Sequence, residues 1–276
     1  MRVARSLLFV PGDRPDLMMK AVAGHADALI VDLEDAVVPS AKVAARESLT
    51  ALISETPISK PVWVRVSSGE EEMDSDLVVV GDLADRLAGV FIAKAETREH
   101  VESAAKIGLP IGLFVETARA VLSLESLVDH PLVRTIHLGE ADLAADTGLR
   151  PGRDDAELAW ARSRVVFVSA AARLEPPVAP VSTEVNDMED FRMSTERTAR
   201  QGFLGRACIH PRQVTVANRV FTPSAAEVES ARALLAQFAQ SVEIGRGALI
   251  VDGKMVDEAV VRAARRIVAS AETDAE

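Results

Sequence analysis

The feature that most constrains the fold is an alternation of two kinds of segment. Short apolar runs, rich in β-branched residues, recur as "SLLFV" (6–10), "ALIVDL" (28–33), "PVWVRV" (61–66), "GVFIAK" (89–94), "PIGLFVE" (110–116) and "VRTIHLGE" (133–140). Two weaker runs follow, "PPVAPVS" (176–182) and "GRACIHP" (205–211). Longer stretches with helical periodicity separate them, at 14–24, 39–53, 75–88, 97–107, 117–129, 155–173, 187–201 and 212–220. Strand-length runs alternating with helix-length segments imply βαβ units and a parallel sheet. Eight repeats in an α/β chain of this size suit a closed (β/α)8 TIM barrel. An open doubly wound sheet would place a glycine-rich turn after its first strand. Here that turn is "VPGDRP" (10–15), with one glycine.

The expected organisation is a barrel over 1–220 and a C-terminal arm over 221–276. In the arm, "FTPSAAEVESARALLAQFAQ" (221–240) predicts a helix with Ser224 as N-cap after Pro223. Asp252-Gly253 is a hairpin signal between two short apolar runs. A final amphipathic helix follows. A barrel closes without this arm, which leaves it free to pack on its own subunit or to cover a neighbour's active site.

Composition narrows the function. With 48% hydrophobic residues the chain can bury a core, but its net charge of −11 disfavours a nucleic-acid surface. The absence of tyrosine and the 4% aromatic content disfavour a base-stacking platform. Cys208 is the single cysteine, so no intramolecular disulfide forms and a reducing compartment fits. The early apolar run "LLFV" is too short for a secretory signal, and no run reaches membrane-spanning length. A cytoplasmic protein without membrane or nucleic-acid partners is expected.

In a parallel barrel the active site is built at the C-terminal ends of the strands. Those ends carry Asp32 and Glu34, Arg65, Lys94 and Glu96, Glu116, Glu140 and Asp142, and His210. Taken singly, each has a bland explanation: Asp35 and Glu96 as helix caps, Cys208 as a small buried apolar group. Cys208 and His210 share a strand face, but a thiol nucleophile needs a further orienting group. Taken together, converging carboxylates repel unless a cation neutralises them. An oxygen-rich set without thiolates suits Mg²⁺, which takes one or two carboxylates plus water and substrate oxygens. Glu116 and Asp142, at adjacent strand ends, are the natural metal pair. Asp32 and Glu34 would stand behind them, orienting metal-bound waters or basic side chains.

These same residues carry a resemblance. "LLFVPGDRP" (7–15), "ADALIVDLEDAV" (26–37), "VWVRV" (62–66), "AKAET" (93–97), "LFVETARA" (113–120), "HLGEADLA" (137–144), "ARSRVVFVSAAA" (161–172), "ACIHPRQV" (207–214) and "GKMVDEAVV" (253–261) occur in order. The chain resembles the HpcH/HpaI aldolase and citrate lyase β-subunit family from about residue 5 to about residue 265. The resemblance implies a Mg²⁺-dependent (β/α)8 barrel, a homotrimer or a multiple of one. It also implies reversible carbon–carbon cleavage of a 3-hydroxyacyl thioester to an acyl thioester and a 2-oxo acid. Glu116 and Asp142 match the family's metal ligands and Arg65 its substrate-contacting arginine. Asp257 matches an aspartate that reaches a neighbouring subunit's site, and Arg14 and Lys94 match basic positions near the mouth. Ser67, Ala93, Ala120 and Ala179 stand where relatives often have Asn, Pro, Gly and Asp.

The implied reaction is a retro-Claisen or retro-aldol cleavage, with Arg65 beside the thioester enolate oxygen and Asp257 as general acid/base. The thioester is of the citramalyl, malyl or citryl type. It is carried on coenzyme A or, for a citrate lyase β subunit, on a carrier protein. A metal-dependent aldolase of free 2-oxo acids and a non-catalytic acid-binding barrel are the other classes. Arg14, Lys42 and Arg46 are the candidate basic entry for coenzyme A.

Overall fold

The computed structural model describes residues 4–243, 245, 247–251 and 253–272. The chain divides at residue 219/220 into two compact units. The first contains β1 (Ser6–Pro11), α1 (Pro15–Ala23), β2 (Ala28–Asp32), α2 (Lys42–Glu55), β3 (Val62–Val66), α3 (Glu70–Asp82) and β4 (Gly89–Ile92). It continues with α4 (Arg98–Ala105), β5 (Ile111–Val115), α5 (Ala118–Leu127), β6 (Val133–Leu138) and α6 (Glu140–Thr147). α7 (Ala159–Ala171), α8 (Met188–Arg200), β7 (Arg206–Cys208) and α9 (Pro211–Val220) complete it.

All seven strands are parallel, in the order β6-β5-β4-β3-β2-β1-β7. The sheet curls. β1 and β5 are four places apart, about 19 Å across a flat sheet, yet the rings of Phe9 and Phe114 lie 5.7 Å apart. The curl gives each strand two buried faces, which is why "ALIVD" of β2 is buried throughout rather than alternating. Outward residues such as Leu29, Val31 and Val64 pack under the helices. Inward residues form a second core of Leu7, Ala28, Ile30, Trp63, Phe91, Phe114, Val178 and Ala207. Gly112 is required there, because a Cβ would stand 2.0 Å from the Phe91 ring.

The run at 176–182 makes no ladder strand. Val178 bridges His137 of β6 and Ala179 bridges Arg206 of β7, one bridge each. Pro176, Pro177 and Pro180 lack the N–H groups that a longer ladder needs. Two helical expectations also shift. α3 begins at Glu70 rather than 75, because Glu70, Glu71 and Glu72 suit the positive end of its dipole. α6 falls where the sequence pattern suggests only strand end and loop, and Gly148, in the left-handed conformation (φ +73°), ends it.

The second unit holds α10 (Ala225–Glu243), the antiparallel pair β8 (Leu249–Val251) and β9 (Lys254–Val256), and α11 (Glu258–Glu272). Ser224 caps α10 in a reciprocal box with Glu227: the Glu227 amide donates to Ser224 Oγ, and the Ser224 amide to Glu227 Oε2. Phe238, Val256 and Val261 form its small core. The hairpin stands where Asp252-Gly253 predicts it, Asp252 itself lying outside the described residues. Among the described residues no helix is long and apolar enough to cross a membrane.

Candidate active site

Strand register sets the site. Pro11 of β1 pairs with Asp32 of β2, and Asp32 with Arg65 of β3, so the inward side chains at these C-terminal ends share one level. Arg65 is buried, and its Nε and Nη2 donate to the two oxygens of Asp32 at 2.7 and 2.6 Å. Asp32 also accepts the amides of Glu34 (2.9 Å) and Ala36 (3.1 Å), so its carboxylate is saturated and fixes the guanidinium. Arg65 Nη1 makes no short bond: it lies 3.4 Å from Glu34 and 3.7 Å from Glu116. The rings of Phe9 and Phe114 flank the guanidinium at 5.2 and 5.5 Å. Burial opposes its charge, but the Asp32 hydrogen bonds and the charges of Asp32, Glu116 and Glu34 together outweigh burial and raise its pKa above the usual arginine value.

Lys94 stands at the β4 end in a left-handed conformation, φ +48°. That geometry is strained for a residue with a Cβ and points its amide at Glu116 Oε2, 2.9 Å away. Its Nζ donates to Glu34 (2.6 Å) and Asp35 (3.1 Å), and Asp142 lies 3.9 Å off. Burial lowers the ammonium's pKa; the bonds to Glu34 and Asp35 and the charges of Glu34 and Glu116 together more than offset this, and Lys94 sits above its ordinary value. Glu34 is itself raised by burial and then by the hydrogen bond with Asp35. The two acids expected behind the metal pair thus orient the two cations, Asp32 holding Arg65 and Glu34 holding Lys94.

Glu116, 2% exposed, follows β5. Burial pushes its carboxyl up to about 7 against the pull of Arg65. Gly139 gives it room: a Cβ there would come within 2.4 Å of the Glu116 carboxylate. Asp142, 41% exposed, projects from the first turn of α6. Glu116, Asp142, Asp32 and Arg65 line one cavity of about 410 Å³, walled by Phe9, Phe114, Pro180 and Val181. Among the described residues no three His, Cys, Asp or Glu side chains converge on one point. Two carboxylates, one buried and one half-exposed, fit a hard divalent ion that completes its shell with water and substrate.

Five other residues have different surroundings. Arg14 precedes α1 without a side-chain capping bond and pairs on the surface with Asp16 at 3.0 Å. Lys42 Nζ donates to the carbonyl of Glu34 (2.9 Å) and to Ser67 Oγ (3.1 Å), and Arg46 pairs with Asp76 (2.7 Å) and Glu72. These two side chains brace the loop carrying Glu34 and the start of α3. Asp257 lies in the second unit, where its Oδ1 accepts the amides of Ala259 and Val260 and caps α11. Cys208 is buried, and burial pushes its thiol up to about 12, which keeps it unreactive.

Sequence reasoning misses Arg162, a buried residue of α7. Its Nη2 donates to Glu140 Oε2 (2.8 Å) and Asp155 (3.2 Å), and Nε to Glu140 Oε1. The pair ties the first residue of α6 to α7, two positions from Asp142. Glu140 counted only as a charged strand end, and nothing in the local pattern marks a partner 22 residues away.

A curled parallel α/β sheet with an acid-rich, cation-clamped cavity at its strand ends defines a barrel-like protein with a candidate active site of carboxylates and cations. Residues 5–211 match the HpcH/HpaI aldolase/citrate lyase family, and the chain belongs to that family. It is an enzyme of the lyase class. It is 35% identical over 277 residues to the citrate lyase subunit beta-like protein of Deinococcus radiodurans, covering 95% of each chain. It is 32% identical over 272 residues to the (3S)-malyl-CoA thioesterase of Cereibacter sphaeroides, covering 97% of this chain and 94% of the relative. Among solved structures, Mycobacterium tuberculosis CitE in complex with magnesium, acetoacetate and coenzyme A superposes with a TM-score of 0.82. The identity is 29%, and 97% of each chain is covered.

Proposed function

We propose that this enzyme cleaves, reversibly, a 3-hydroxyacyl-CoA thioester of the citramalyl, malyl or citryl type into an acyl-CoA and a 2-oxo acid. One observation carries it: Arg65 Nη1, the guanidinium nitrogen without a short bond, stands 3.7 Å from buried Glu116 in a cavity that Asp142 also lines. Cation and carboxylates side by side suit a substrate that must lose an alkoxide proton and develop an enolate. The single bridges of Val178 and Ala179 to β6 and β7 support a closed (β/α)8 barrel, with this segment as its seventh strand.

Glu116 and Asp142 would hold a Mg²⁺ ion. When bound, it supplies Lewis-acid stabilisation to the carboxylate and oxo or alkoxide oxygens of the acid portion. The rest is the chain's own. Asp32 fixes one edge of Arg65, so Nη1 faces the enolate oxygen preorganised. Glu34 and Asp35 hold Lys94, whose amide orients Glu116. The wall of Phe9, Phe114 and Val181 limits water around the carbanion. Asp257 is the general acid/base at the enolate carbon: both of its capping bonds fall on Oδ1, which leaves Oδ2 for the proton. In this proposal Asp257 serves the neighbouring subunit of a homotrimer or a multiple of one. The coenzyme A thioester is favoured over a carrier-protein thioester, because an arm that completes a neighbour's site makes a self-sufficient enzyme. The CitE structure with coenzyme A supports the same choice.

The test incubates purified protein and Mg²⁺ with citramalyl-CoA, malyl-CoA and citryl-CoA, with Glu116→Ala as control. Release of a 2-oxo acid and an acyl-CoA, lost in the control, is the expected result. Release of free coenzyme A with the hydroxy acid intact would instead identify a thioesterase. Silence on all three with Mg²⁺ bound would point to a carrier-protein thioester or a free 2-oxo acid.

A further inference from the structure

Below the level of Arg65 and Glu116 the cavity wall is apolar, with Phe9, Phe114, Ala207 and Ile209, and one polar side chain interrupts it: His137. The imidazole packs between Phe91 and Phe114, with ring centroids 4.5 and 5.2 Å away, and is 2% exposed. Neither ring nitrogen has a hydrogen-bond partner. Buried polar groups are almost always bonded, and an unmade bond is destabilising, whereas leucine or phenylalanine would fill this place without that loss. The position fits a ligand. His137 pairs with Phe114 across β5 and β6, and Glu116 follows Phe114 by two residues on the same face, about 7 Å higher. A half-turn of the ring exchanges each nitrogen with a ring carbon and leaves the packing unchanged, so the edge lining the cavity can carry an N–H.

Resting on the lyase proposal above, we propose that His137 binds substrate. Its imidazole donates a hydrogen bond to an oxygen of the 2-oxo acid portion that points down from the Glu116–Asp142 level. Burial pushes the imidazole down to about 3, so it is neutral and offers one donor and one acceptor. Among the described residues lining this cavity Arg65 is the one Lys or Arg, and Asp32 already holds it. A hydrogen bond from His137 therefore adds recognition where the described lining offers no second Lys or Arg.

The experiment compares wild type with His137→Leu and His137→Gln, all loaded with Mg²⁺, by calorimetric titration with glyoxylate, pyruvate, oxaloacetate and, separately, acetyl-CoA. The leucine variant is expected to weaken acid binding at least about tenfold, the loss of one buried hydrogen bond, and to leave acetyl-CoA affinity within about twofold. The glutamine variant, which keeps a donor, should recover most of the acid affinity. In the condensation assay KM for the acid should rise more than kcat falls, and the leucine variant should melt no lower than wild type. Unchanged acid binding in the leucine variant overturns the proposal, since a buried water would then satisfy the ring. Equal losses in leucine and glutamine variants also overturn it, because they would mark a packing role. Wild type that binds none of the three acids overturns the lyase proposal, and this one with it.

Discussion

At the scale of single residues, the site rests on small allowances of space. Gly139 is one: its missing Cβ is the volume that the Glu116 carboxylate occupies. Gly139→Ala should leave the fold intact, because the clash falls on the end of a side chain rather than on backbone. It should push Glu116 off the Lys94 amide. A displacement of about 1 Å near reacting groups can lower rate by about 10²-fold, and a loss of that size, with weakened Mg²⁺ binding by calorimetry, is the expected outcome. Wild-type kinetics in this variant would show that Glu116 tolerates another position and is no ligand. The charged strand ends were legible because carboxylates after "ALIV" and "LFV" contradict their surroundings. His137 was not, because one histidine in an apolar run looks the same whether or not its nitrogens find partners.

At the scale of elements, legibility followed periodicity. β1 to β6 and their longer helices stand where alternating runs place them, since buried parallel strands and amphipathic helices write strong patterns. The segment around Val178 failed as a full strand because its prolines cannot donate. α6 escaped notice because its eight residues carry one buried apolar side chain, Leu143, too few to show a period. What holds α6 is tertiary: the Arg162–Glu140 pair and the glycines at its two ends. Removing one partner of a buried ion pair typically destabilises by about 3–5 kcal/mol. Arg162→Met should approach that range in urea unfolding. It should also loosen Asp142 and weaken Mg²⁺ binding more than it changes affinity for acetyl-CoA. A variant as stable as wild type would mean that α6 is held without the pair.

At the scale of the whole molecule, curling a parallel sheet turns residues scattered from Asp32 to Asp142 into one cavity, and the strand register supplies their common level. Glu116 belongs to the unit of residues 3–219 and Asp257 to the unit of residues 220–276, so a complete site on the proposed mechanism needs both. Whether one chain supplies both is decidable by complementation. Glu116→Ala and Asp257→Ala variants should each be nearly inactive alone, and the Asp257 variant should still bind Mg²⁺. In the proposed homotrimer or multiple of one, co-expression in equal amounts would give mixed rings. A site is whole when its own chain carries Glu116 and its neighbour carries Asp257. Random assembly around a cyclic oligomer makes that about one site in four. Recovery of about a quarter of wild-type specific activity is expected if Asp257 crosses to the neighbour. If it serves its own chain, no mixed ring contains a whole site and activity stays at the level of the single variants. The same measurement bears on the arm: recovery would mean that α10, the β8–β9 hairpin and α11 exist to carry a proton-transfer group between subunits.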